Sequence, residues 1–288
     1  MAEPGGTISR RTLLLGSGAT GLAASGAVVL PRMHEGRALL HRLGFYRPDA
    51  DVAPSGLRLE DVRLAGGRAA ALVRVGSGTG PVAGLVCLHG RNGDERFAFD
   101  TVRLHDFAAA LGISLVIAGV DGGPSSYWHR RADGTDPLRA VVDEVVPLVR
   151  GRNGGGPVSI MGWSMGGYGA LLAAQRHPGL FGAVVAASPA VFRSFEDAAG
   201  GAFDGPQDFA AHDVVADFDA LQDMPVRIDC GRDDPFASVC RTLLARGGHV
   251  EGGLHEGFHE AGLWRSLAAD HLRFVTERAT AGAGRPPG

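Results

Sequence analysis

Five short, largely apolar runs punctuate this chain, at residues 82–88, 113–118, 158–162, 183–187 and 226–230, each bounded by Gly, Pro or polar residues. A strand with one face in water alternates apolar and polar side chains, so largely apolar runs imply strands covered on both faces. Helical patterns separate them, at 97–111, 138–149, 165–177, 237–245 and 263–276. Such alternation predicts an α/β chain with a mainly parallel, doubly wound sheet and helices on both faces. Residues 57–64 and 69–75 read as a hairpin ahead of it. Residues 190–222, rich in Phe, Asp, Ala and Gly, break the rhythm where a small cap segment could be inserted. There is no internal repeat.

The chain has 288 residues, enough to bury a sizeable core without disulfide or metal staples. A net charge of −3 offers no field for nucleic acid or an anionic membrane surface. All 28 basic residues are arginine, which excludes a lysine nucleophile or Schiff base. Cys87, Cys230 and Cys240 are too few for a disulfide framework, and no CxxC spacing suggests zinc or dithiol chemistry. Cys230 and Cys240 are read as small buried side chains, with a single bridge between them as the alternative.

Ser9-Arg10-Arg11-Thr12-Leu13-Leu14 precedes a mildly apolar, Gly- and Ala-rich run to residue 30. Paired arginines before a weak hydrophobic stretch resemble a twin-arginine export signal, or an uncleaved N-terminal anchor. The expected organisation is therefore an export segment at 1–35, a connector at 36–55, a catalytic domain at 56–278 and a disordered tail at 279–288. Export would make the twin-arginine machinery a partner and place the protein outside the cytoplasm, secreted or in the cell envelope.

Gly162-Trp163-Ser164-Met165-Gly166 is G-x-S-x-G, set between a strand pattern and a helix pattern. In that setting the serine sits on a tight turn with small neighbours, and the helix after it points free N–H groups at developing negative charge. Without the setting the motif would be a weak signal, because the chain holds 45 glycines. A serine nucleophile needs a base to take its proton and an acid to orient that base. With the order Ser, acid, His, the acid falls after residue 230, at Asp233 or Asp234. The base falls past a further strand near 249–254, at His255 or His259.

These motifs resemble the putative esterase family of α/β-hydrolases, which includes S-formylglutathione hydrolases and antigen 85 mycolyltransferases. The resemblance covers about residues 56–278. It rests on Leu88-His89-Gly90, on Asp121 to Trp128, on Gly162 to Gly169, on Cys230 to Phe236, and on Gly257-Phe258-His259 followed by Trp264. It implies an α/β-hydrolase fold and a serine esterase that needs no cofactor. It selects Asp234, two residues before Phe236, and His259, between a Gly-x pair and Trp264; Asp233 and His255 are then solvated surface groups. It assigns the oxyanion hole to the amides of Met165 and Arg91. The Arg91 side chain is either solvated or a contact for an acidic substrate group. Tyr127 and Trp128 are candidates to line an acyl or sugar pocket, with loop packing as their other reading. His89 is expected to hold the oxyanion loop in shape. The substrate would be a small-molecule, lipid or sugar ester. Transfer of the acyl group to a sugar alcohol, as in the mycolyltransferases, uses the same machinery.

One other motif competes. His255-Glu256-Gly257-Phe258-His259 spells H-E-x-x-H, the zinc-peptidase pattern, which works only where a helix brings positions i and i+4 to one face. Gly252, Gly253 and Gly257 oppose a helix there, each costing about 1 kcal/mol relative to Ala. Arg265 occupies the position of a third ligand. No metal is therefore assigned. A non-catalytic binding protein on the same scaffold would be expected to lack a triad residue, and all three are present.

Overall fold

The computed structural model describes residues 41, 43, 47–78 and 80–282, with the side chains of the last four of these left out. The expected export segment lies outside them. Residues from Arg47 onward form one compact unit. Its eight strands are β1 (Glu60–Arg63), β2 (Ala69–Val75), β3 (Ala83–Leu88), β4 (Leu115–Val120), β5 (Val158–Trp163), β6 (Val184–Ala187), β7 (Val226–Gly231) and β8 (Val250–His255). They lie in the order β1-β2-β4-β3-β5-β6-β7-β8. β2 pairs antiparallel with β1 and β4, and every later pairing is parallel. This is the expected α/β-hydrolase sheet, with the hairpin at one edge.

The helices are α1 (Leu104–Ala110), α2 (Pro137–Ala140), α3 (Val146–Arg152), α4 (Met165–Arg176), α5 (Pro206–Ala211), α6 (Ala237–Leu244), α7 (Ala261–Ser266) and α8 (Ala268–Gly282). A π-helical turn, Val141–Val145, joins α2 to α3. Successive strand residues feed opposite faces of the sheet, as the period of two requires. Val86, Leu88, Ile160, Val184 and Ile228 enter the core shared with α3, α4 and α6. Leu85, Cys87, Met161, Trp163 and Val185 enter the core on the other face, with Leu104 and Phe107 of α1 and Leu272 and Val275 of α8. Both faces are dry, and that is why the runs carry little alternation; β7, with Arg227 and Asp229 between apolar residues, is the exception.

Several expectations shift. The predicted helix 263–276 divides into α7 and α8, and α8 runs to Gly282, into the expected disordered tail at 279–288. The predicted helix 97–111 is two pieces, a π turn at Phe97–Thr101 and then α1, because Arg103 takes a left-handed backbone with φ 61°. There it reaches Asp51 at 2.7 Å and Asp106 at 3.1 Å. β4 starts two residues later than predicted. The Ile113 N–H donates instead to Ala108 O at the end of α1 (2.9 Å), across a Gly112 with φ 66°. Residues 190–222 hold α5 and a 3-10 turn, Ala216–Leu221, and Phe192, Phe203, Phe209, Phe218 and Leu221 are buried in the first core. Cys230 and Cys240 are both buried and unbridged.

Ile160 is fully buried on the central strand β5. Ile160→Ala is expected to cost about 2–5 kcal/mol, the usual range for such a truncation. Urea unfolding checks this: the midpoint should fall while the slope stays constant.

Candidate active site

The site grows out of the corner between β5 and α4. Ser164 occupies it with φ 55° and ψ −118°, a conformation that L side chains rarely adopt. The corner is sharp because three backbones meet there. A Cβ on Gly162 would stand 2.1 Å from Gly166 O, and one on Gly166 would stand 1.9 Å from Leu88 O. Only glycine fits at either position, and this is the physical content of the motif's two glycines. Hydrogen bonds pin the corner from its neighbours: Ser164 N–H donates to Ala187 O (3.0 Å), and Ala190 N–H donates to Ser164 O (2.9 Å).

The acid and base arrive on the loops after β7 and β8. His259 Nε2 lies 2.8 Å from Ser164 Oγ, and His259 Nδ1 lies 2.7 Å from Asp234 Oδ2. The Asp234 side chain is fully buried, and its other oxygen accepts from Phe236 N–H at 2.9 Å. Asp234 and His259, rather than Asp233 and His255, are therefore the residues brought to the serine. Trp264 and Phe236 each stand edge-on to the His259 ring, with centroids 5.4 Å away, and Trp264 Nε1–H donates to Ser188 Oγ at 3.1 Å. The imidazole is thus walled on two sides by aromatic rings and tied at both nitrogens.

The loop after β3 passes the serine closely: a Cβ on Gly90 would lie 3.4 Å from Ser164 Cβ, and Arg91 is the next residue. Met165 is the first residue of α4, where a helix leaves its N–H groups without intrahelical acceptors. His89 fastens this loop. Its Nε2 accepts from Gly122 N–H at 2.9 Å, so the proton sits on Nδ1, which donates to Gly90 O at 2.7 Å. Burial pushes the His89 pKa below the ordinary histidine value, against the raising effect of the Gly90 bond. Trp128 is fully buried beneath the loop, 5.1 Å edge-on to His89, with Gly122 and Gly169 as the gaps that admit its indole. Trp128 therefore supports the loop from below. Tyr127 is nearly as buried, among Tyr168, Phe192 and Phe203, and burial raises its pKa. The Arg91 side chain is exposed and reaches towards Gly200 O (3.5 Å).

The zinc pattern dissolves in this geometry. His255 ends a strand and His259 follows on a loop, so no helix aligns them. His259 turns to Ser164 and His255 to Asp229, 2.6 Å away. The expectation that His255 is a solvated surface group is corrected by the same bond. Asp229 is a residue that the sequence reading missed. Its signal was an acid two residues from Arg227 in the strand run 226–230, a charged pair on one face of a strand. Among the described residues, His129, Asp208 and His212 also gather ligand-type atoms within 4.8 Å. However, the two rings stack at 4.4 Å, so their in-plane lone pairs run side by side, and both His129 nitrogens lie 3.0 Å from carbonyl oxygens, of Arg130 and Ala202.

Residues 124–245 match the family described as "Putative esterase"; that span includes Ser164 and Asp234, and His259 lies beyond it. No curated protein sequence matches the chain. Among solved structures, the chain is similar to an S-formylglutathione hydrolase from Agrobacterium tumefaciens at 16% identity and a TM-score of 0.63, covering 80% of this chain and 98% of that one. It is similar to a ferulic acid esterase at 18% identity and a TM-score of 0.64, covering 77% and 97%. It is also similar to MPT51 of Mycobacterium tuberculosis at 16% identity and a TM-score of 0.58, covering 76% and 99%.

His89 and His129 are both buried, and burial lowers both pKa values. From about pH 6.5, where an unfolded histidine protonates, down to their lowered folded values, the unfolded chain binds more protons. Stability is therefore expected to fall as pH drops through that window, and melting temperatures between pH 8 and pH 5 check it. A flat profile down to pH 5 would contradict neutral His89 and His129. The chain therefore has the α/β-hydrolase fold, and its stretch from residue 124 to 245 is similar to the putative esterase family.

Proposed function

We propose that the protein cleaves a carboxylic ester in two acyl-transfer steps centred on Ser164. The observation that carries this reading is the unbroken relay of hydrogen bonds from Ser164 Oγ to His259 (2.8 Å) and from His259 to Asp234 (2.7 Å). Neutral His259 takes the hydroxyl proton at Nε2 as Ser164 Oγ attacks the ester carbonyl. Asp234 holds the ring by Nδ1–H and stabilises the imidazolium that forms. The amides of Met165 and Arg91 receive the negative charge on the carbonyl oxygen. His259 then protonates the departing alkoxide, leaving an acyl-enzyme on Ser164. Water, deprotonated by His259, releases the acid and restores the serine. An alcohol in place of water would give transfer, so the product ratio in the presence of a sugar acceptor such as trehalose measures that branch. The reaction uses no cofactor. The paired arginines at Arg10 and Arg11 support export through the twin-arginine route.

Labelling by a fluorophosphonate probe tests the assignment. The wild-type chain should be labelled, and Ser164→Ala and His259→Ala should not. Labelling that survives Ser164→Ala would sink the reading, and activity lost to a chelator would redirect it to a metal. Asp234→Asn should leave the fold intact and lower kcat by about 10⁴-fold, the scale seen when the orienting carboxylate of such a triad becomes an amide.

A further inference from the structure

Beneath the triad lies a second, fully buried carboxylate that ester cleavage does not consume. Asp229, on β7, takes three donors: Arg227 Nε at 2.6 Å, His255 Nε2 at 2.6 Å and His271 Nε2, on α8, at 3.0 Å. Burial alone would raise its pKa. The hydrogen bonds from His255 and His271, with the charge of Arg227, outweigh burial and hold it well below the ordinary carboxylate range. It is thus an ionised anchor inside the protein, and the side chains of Asp229 and His271 are both fully covered.

What hangs from this anchor is the triad's own scaffolding. His255 is the last residue of β8 and stands four residues before His259. Its carbonyl accepts from Arg232 N–H at 2.7 Å, and the next turn repeats the link, with Asp233 N–H donating to Gly257 O at 3.1 Å. These two bonds tie the loop that carries the base to the loop that carries the acid. The fit is close: a Cβ on Gly231 would stand 2.5 Å from Gly257 O. The imidazole of His255 fixes the start of the base loop to β7, and its carbonyl fixes the acid loop to the base loop.

We infer that His255 is a positioning residue for ester cleavage, acting through its Nε2–H bond to Asp229 to hold His259 in line with Ser164 and Asp234. It touches neither substrate nor reacting atoms. The inference rests on Ser164 and His259 acting as proposed above.

The test compares two replacements. His255→Leu removes the donor. His255→Gln places an amide N–H where Nε2 stood. His255→Leu should lower kcat roughly 10- to 100-fold with KM within about twofold, the pattern of a misplaced catalytic group. Fluorophosphonate labelling should slow in parallel. His255→Gln should recover kcat to within about threefold of wild type. If the leucine variant does not fold, His255→Asn, whose shorter donor falls short of Asp229, takes its place. Wild-type kcat and labelling in the Leu or Asn variant would overturn the inference, as would a Gln variant no better than they are. The two claims separate cleanly. An unlabelled wild-type Ser164 defeats the proposed chemistry, whereas a labelled wild type with an equally reactive leucine variant defeats only the role of His255.

Discussion

The structure depends on one close approach: the backbone of α4 packed against the end of β3 with no side chain between them. Gly166 lies so near Leu88 O that a single methyl would overlap it. That contact forces the chain to turn sharply between β5 and α4, and the turn holds Ser164 in a left-handed conformation. The same contact brings the loop of His89 and Gly90 alongside the serine. The positions proposed for the nucleophile and the oxyanion donors are therefore set by one backbone packing event. The cost of the strained φ is met by the burial of β5 and of nearly all of α4.

The second half of the site is made differently. Asp234 and His259 come from loops at the far side of the sheet, and they are positioned by polar groups more than by apolar packing. Aromatic rings wall the imidazole, and a buried ion cluster around Asp229 underpins the base loop. An unpaired charge in such a place would be costly. Three donors on one carboxylate make it tolerable and give it direction.

Much of this was legible in the residues. Largely apolar runs marked the central strands because both faces of the sheet are covered, and the G-x-S-x-G glycines marked the turn because only glycine clears the backbone there. Asp234 and His259 were chosen over their neighbours by family resemblance; the spacing left Asp233 and His255 open. What the sequence hid was tertiary. Nothing local foretells that Arg103 will leave the helical region to meet Asp51, or that Ile113 will cap α1 and delay β4. His255 read as a surface group because its partner lies 26 residues earlier, on the neighbouring strand. For Trp128 the residues left pocket lining and loop packing both open, because an aromatic in a loop by the active site gives no sign of whether it faces substrate or supports the loop from beneath.

The two backbone bonds between the loops after β7 and β8 have a wider meaning. Arg232 N–H to His255 O and Asp233 N–H to Gly257 O involve no side chain, so the side chains at 232, 233 and 255 can change without removing either donor or acceptor, whereas Gly257, with φ 133° and Pro48 Cγ 2.8 Å from where a Cβ would stand, must stay glycine. The loops that carry Asp234 and His259 are thus joined through backbone as well as through the His255 side chain, and part of their spacing is inherited from strand pairing. Arg91 and the 190–222 segment, the expected places for substrate contact, lie outside that pair. A scaffold divided in this way can change what it accepts without reassembling what it does.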